Sequence, residues 1–248
     1  MTDAPLVKRS DADGVATLTL NRPEALNALS PALFVELRSH IDALGSDQDT
    51  RVVVLRGEGR SFCAGNDLKA IQSGEKAPSP YFQAETIEGM EALPQCVIGS
   101  VRGHCFTGGL ELVLGTDLIV ASDTARFGDT HGKFAMVPTW GMPSRLSARI
   151  GPSRARDMMF TGRHVSGAEA LELGLANRCV PDDELDAVTA ELAATVSAQS
   201  SWTIRHEKAL MAATADMSVL EATRWERENG PGTGPDMMER IQAGFGKK

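Results

Sequence analysis

The segment RGHCFTGGLELVLG, residues 102–115, sets Gly108 and Gly109 ahead of an apolar helix-like run, with Glu111 three residues after the first glycine. A glycine pair at a helix start leaves backbone N–H groups unpaired at the positive end of the helix, where they stabilise an anion or a developing oxyanion. Three residues is nearly one helical turn, so the Glu111 carboxylate is expected beside that entrance, on an otherwise apolar helix where it is costly unless used or paired. The same residues also fit a tight connection and an ion pair that fastens the helix. A second glycine-bearing loop, GEGRSFCAGNDLKA, follows the strand-like RVVVLR. His131, in ARFGDTHGKFAMVPTWG, lies between a strand-like run and a loop containing Pro, Gly and Trp; an imidazole there is an acid, a base or a hydrogen-bonding wall. GEGRSF does not complete a dinucleotide-binding fingerprint, and no phosphate-loop, G-x-S-x-G or H-E-x-x-H pattern occurs. His40, His104, His164 and His206 are not at metal-ligand spacings and read as surface or core residues.

These loops hang on an alternation of strand and helix. GVATLTL alternates as a strand should and ends in the turn NRPEALN, after which Ser30 and Pro31 read as the cap and first turn of a helix over PALFVELRSHIDALG. RVVVLRG, CVIGSVRG and DLIVAS are apolar on both faces, which predicts strands of one sheet covered on both sides. YFQAETIEGMEAL, closed by Pro94, and GGLELVLG are predicted helices. After about residue 143 the pattern turns helical, with a capping box expected from Ser166 to Glu169 and Ala/Leu/Glu runs up to Asn229. NGPGTGPD then frees a last helix, MMERIQAGF, to lie on a neighbouring subunit.

Composition bounds the function classes. With 42% apolar and 23% charged residues in 248, the chain can build a sizeable core. A net charge of -8 and the lack of a Lys/Arg cluster argue against a nucleic-acid partner. Cys63, Cys96, Cys105 and Cys179 form no C-x-x-C pair and read as reduced thiols, with neither disulfide nor metal site. MTDAPLVKRSD lacks the apolar core of a signal peptide and no later run is long enough to cross a bilayer, so a cytoplasmic protein is expected, without a membrane segment.

Five blocks, NRPEALNALS, RSFCAGNDLKAI, GHCFTGGLELVLGTDLIVAS, ARFGDTHGKFAMVPTWGMPSRL and TGRHVSGAEALELGLANRCVP, occur in this order. Together they resemble the enoyl-CoA hydratase/isomerase (crotonase) family, from about residue 10 to the C-terminus. The resemblance implies an α/β fold, a crotonase-like spiral of ββα units over residues 1–195 with a helical C-terminal trimerisation region over 196–248. It implies an acyl-CoA thioester substrate, no cofactor beyond the coenzyme A carried by that substrate, and a homotrimer or dimer of trimers. It places an oxyanion hole at the N–H groups of Asn66 and Gly108, and substrate contacts at Ala25, Ala64, Asp67, Leu68 and Trp140. Many relatives carry Ala where Asn66 stands, but a backbone donor survives that change.

Hydratases of this family use two glutamates. Glu111 matches one, and His131 stands at the position of the other, so the second carboxylate is replaced. Trp140 and Met142 occupy a stretch that is often Gly-rich in relatives; their bulk is expected to reshape the acyl pocket, although Trp140 also fits plain packing. Lys247 and Lys248 are expected near CoA phosphates. The leading expectation is addition of water to a 2-enoyl-CoA through an enolate, with Glu111 activating the water and His131 assisting protonation at the α carbon. The alternatives are a double-bond isomerase, which needs one proton shuttle and no bound water, and a non-catalytic acyl-CoA-binding homologue.

Overall fold

The structure is a computed structural model that describes residues 4–245. It opens with a hairpin of β1 (Val7–Ala12) and β2 (Val15–Leu20), closed by Asp13 and Gly14 at φ 51° and 76°. A two-residue hairpin turn of this kind needs positive φ at both centres, which Asp-Gly supplies. In α1 (Pro31–Ser46) the Ser30 hydroxyl accepts the Leu33 N–H at 3.2 Å, the cap that the sequence predicts. β3 (Val52–Gly57), a short α2 (Leu68–Ser73) and α3 (Phe82–Glu91) lead to β4 (Cys96–Val101). Next come β5 (His104–Phe106), α4 (Gly108–Leu114), β6 (Leu118–Ser122), β7 (Arg126–Gly128), α5 (Met142–Ile150) and α6 (Pro152–Thr161). β8 (Val165–Ser166), α7 (Gly167–Leu173), β9 (Arg178–Val180) and α8 (Leu185–Ser197) precede the C-terminal helices α9 (Ser201–Thr214), α10 (Val219–Asn229) and α11 (Met237–Phe245).

Six strands form the main sheet in the order β1-β2-β3-β4-β6-β9, with β1 antiparallel to β2 and every other pair parallel. β5, β7 and β8 form a second, three-stranded sheet. The chain therefore lays β4 in the large sheet, β5 in the small one and α4 outside, then repeats with β6, β7 and the next helices. This is a spiral of ββα units. β3 shows why its sequence is apolar throughout: Val53 and Leu55 join the main core with α1, while Val52 and Val54 join a second core under α8.

Three expectations change. Ser166 caps α7 by accepting the Glu169 N–H, but the Glu169 carboxylate binds Arg163 at 2.7 Å instead of returning to the cap, so the capping box is half made. The complete box lies at Ser218 and Glu221, at the start of α10. The GEGRSFCAGNDLKA segment contains the start of α2, capped by Asp67, as well as a loop. The last helix is fastened to its own chain. Asp236 accepts from the Ser200 hydroxyl at 3.0 Å and pairs with Arg240, which donates to the Ala198 carbonyl at 3.0 Å. Lys247 and Lys248 lie outside the described residues.

Candidate active site

The short sheet brings the two chemically suggestive loops together. β5 pairs with β7 in the register Phe106↔Gly128, and the pairing continues as the Thr107 N–H donates to the Gly128 carbonyl at 2.9 Å. The residue after Thr107 starts α4, while the residues after Gly128 lead to His131. Two short strands thus set Gly108 beside the His131 turn.

Gly108 is the first residue of α4, and its N–H finds no acceptor among the described residues. Asn66 lies in a parallel bridge with Leu29: the Leu29 N–H donates to Gly65 and the Asp67 N–H donates to Leu29. In such a bridge the central residue's own N–H points the other way, and the Asn66 N–H also lacks an acceptor among the described residues. A Cβ on Gly65 would run into the Thr107 hydroxyl, which shows how closely the two loops approach. A Cβ on Gly109 would lie 2.7 Å from the Cys63 carbonyl, so this glycine is required for packing; one on Gly108 would lie 2.5 Å from the Trp140 ring. The glycine pair is thus a tight connection and also leaves a free donor. Thr107 sits at φ 45°, a conformation costing about 1–3 kcal/mol in a non-glycine residue and concentrated at functional sites.

A cavity of about 440 Å3 opens here, with Ala64, Asn66, Leu68, Gly108, Glu111, His131 and Trp140 on its wall. Phe106, Phe134, Met136 and Val137, which the sequence does not single out, complete an apolar lining. Ala25 and Asp67 are off this wall. The Asp67 carboxylate is spent on Arg22 at 2.7 Å and on the first N–H groups of α2. The Met142 side chain is fully buried in the core, so of the two bulky residues only Trp140 shapes the cavity, its ring edge-on to Phe34 at 5.1 Å. A larger space of about 720 Å3 lies on the other face of the main sheet beneath α8, and none of these groups reaches it. Chemistry, rather than size, places the site.

Glu111 is 1% exposed. Its Oε1 accepts the Trp140 N–H at 2.8 Å and the Met142 N–H at 3.2 Å, and its Oε2 lies 3.7 Å from Nε2 of His131. Burial pushes this carboxyl above its usual range, against the opposing pull of the two N–H groups and the imidazole. The other ring nitrogen of His131, Nδ1, lies 2.6 Å from Oδ1 of Asp129, which also accepts the His131 backbone N–H at 3.0 Å. Burial works against the imidazolium, but the Asp129 hydrogen bond and the charges of Asp129 and Glu111 outweigh it and hold His131 above its ordinary value. Asp129 escapes the sequence reading. Its signal is an Asp two residues before the histidine, the spacing at which an Asp side chain accepts a local N–H. Cys63, behind the glycine pair, is a packing group whose thiol burial pushes up to about 12.

Comparison with known proteins decides the family. The enoyl-CoA hydratase/isomerase family model matches residues 10–232. The chain belongs to the enoyl-CoA hydratase/isomerase family. It is 35% identical over 196 residues to an enoyl-CoA hydratase of Mycobacterium tuberculosis, covering 76% of this chain and 73% of that one. The crystal structure of an enoyl-CoA hydratase from Bacillus anthracis superposes with a TM-score of 0.92 at 31% identity, covering 98% and 97% of the two chains. A Thermobifida fusca structure in complex with acetoacetyl-CoA gives 0.83 at 30% identity, covering 90% and 92%. In this family member, among the described residues, no helix is long and apolar enough to cross a membrane.

Proposed function

We propose that this family member adds water to a 2-enoyl-CoA thioester. The observation that carries the reading is a buried carboxylate, Glu111, held by two backbone N–H groups and facing the same cavity as two unpaired N–H groups. The thioester oxygen would accept from the Asn66 and Gly108 N–H groups, which gain strength as negative charge develops on it. Glu111 takes a proton from water, the water oxygen bonds to the β carbon, and His131, at the place of the family's second carboxylate, gives its Nε2 proton to the α carbon. One water engages both groups, since Oε2 and Nε2 are 3.7 Å apart. Coenzyme A enters as part of the substrate and no further cofactor takes part. Ala64, Leu68 and Trp140 contact the substrate directly, and Asp67 supports that wall from outside it through its hold on α2. The lining supplied by Leu68, Phe106, Phe134, Met136, Val137 and Trp140 suits an apolar acyl chain.

The test is a screen of saturated, 2-enoyl and 3-enoyl thioesters that follows binding and product mass. A 2-enoyl thioester is expected to gain one water; products of unchanged mass across the screen would remove the hydratase reading, with isomerised ones favouring a double-bond isomerase and bound but intact ones a non-catalytic acyl-CoA-binding homologue. The pH profile is a second arm. Glu111 must be ionised, so turnover falls as pH drops through its raised pKa; His131 must be protonated, so turnover falls again as pH rises through its own raised pKa. In His131→Gln the alkaline limb flattens.

The same reading includes a trimer or dimer of trimers in the cytoplasm. It is supported by α9 and α10, which bury no residue in the single chain while Met211, Val219 and Leu220 on them are exposed. Light scattering at micromolar concentration is expected to give a multiple of three chains, and a monomer contradicts it.

A further inference from the structure

We propose that Asp129 is a positioning residue that keeps the Nδ1 proton of His131 in place and turns Nε2 to the cavity, so that this imidazole exchanges protons through one nitrogen. A carboxylate can only accept, so the 2.6 Å contact requires the proton on Nδ1. The backbone N–H of His131 donates to the same oxygen at 3.0 Å, which ties the ring and its turn to one atom. Asp129 is 3% exposed, and among the described residues its ion-pair partner is His131 alone. Such a carboxylate gains most when the ring opposite it is charged.

The acids that face the ring within ion-pair distance, among the described residues, are Asp129 and, across the cavity, Glu111 of α4. Lys133 on the same turn is exposed. α6, packed on that turn, carries Arg154, Arg156 and Asp157; Asp157 is taken by Arg163 and Arg154 by the Leu173 carbonyl.

With Nδ1–H fixed, the charged ring offers an Nε2 proton and the neutral ring offers an Nε2 lone pair. In the proposed hydration, on which this catalytic consequence rests, Nε2 gives its proton to the α carbon while Glu111 receives one from water. The next water to bind between the two groups takes that proton from Oε2 and gives one to Nε2, bridging their 3.7 Å separation, which restores both groups.

The experiment is a nitrogen-15 NMR titration of the histidines in the full chain without substrate, with His131→Gln to assign the resonance, alongside the pH profile of turnover. Neutral His131 is expected to carry its proton on Nδ1. In Asp129→Asn, which keeps an oxygen for the turn but loses the charge, the His131 pKa is expected to fall by about one to three units. The alkaline limb should move down with it and kcat at neutral pH should fall at least about tenfold, with KM little changed. A wild-type neutral ring protonated on Nε2 overturns the proposal without any variant, and so does an Asp129→Asn titration that does not move. If the titrations behave as expected and no 2-enoyl thioester gains water, the positioning role stands and the hydratase reading falls.

Discussion

Glu111→Gln is expected to slow water addition by about a hundredfold to ten-thousandfold, the contribution of a well-placed proton-transfer group, while thioester binding stays close to wild type. The amide has the shape of the carboxylate, so its oxygen can still accept the Trp140 and Met142 N–H groups that hold Oε1 at 2.8 and 3.2 Å. What it cannot do is take a proton from water. Glu111→Ala would be a poorer probe, because it strands two N–H groups of the loop that carries Trp140 and costs stability as well as chemistry. Calorimetric binding of a saturated acyl-CoA and the disappearance of the conjugated thioester, measured on the same preparation, separate the two effects. A Gln variant with near-normal turnover would show that Glu111 is not the base. The variant also removes one of the two negative charges near His131, so the imidazole pKa should move down.

How the sequence codes for this site depends on which kind of group does the work. Glu111 is legible because a carboxylate on an apolar helix has few innocent explanations. Its partners are not, because the donors are backbone N–H groups 29 and 31 residues downstream, and backbone atoms leave no mark in the residue types. β5 and β7, three residues each, are too short to show the alternation that reveals a strand, yet they bring Gly108 and His131 together. β1 is hidden for another reason. As an edge strand with exposed Lys8, Ser10 and Asp11 it has no apolar stripe, and its readable signal was the Asp13-Gly14 pair that closes the hairpin. The large strands β3, β4 and β6 and the capped helix α1 follow directly from apolar runs and from Ser30.

Residue 131 shows what a position-by-position reading misses. Taken alone, a histidine two residues after an aspartate reads as one isolated proton-transfer group or as a wall residue. In the folded chain the histidine is bonded to a buried aspartate at 2.6 Å. A Glu at 131 would face Asp129 and Glu111 together, and like charges in one buried site cannot all ionise. Asp129 and His131 therefore act as a unit. The negative charge at this edge of the cavity sits on Asp129, behind the ring of His131.

Gly108→Pro is expected to lower turnover by about a hundredfold to a thousandfold beyond the effect of Gly108→Ala, the usual cost of deleting one oxyanion-hole donor. The comparison with Ala is needed because either side chain brings a Cβ to within 2.5 Å of the Trp140 ring, so both variants disturb that wall. Only Pro also removes the N–H. Its position favours a fair test: residue 108 opens α4, where proline's fixed φ fits and no helical hydrogen bond is lost. The preceding residue argues for care. Thr107 already sits at φ 45° and ψ -117°, outside the extended range that proline prefers before it, so matched melting curves must accompany the rates. For folded variants, the ratio of Ala to Pro turnover isolates the donor. A ratio near one would mean that the Gly108 N–H does not touch the reacting oxygen, and that the glycine is there for the close approach of Trp140 alone.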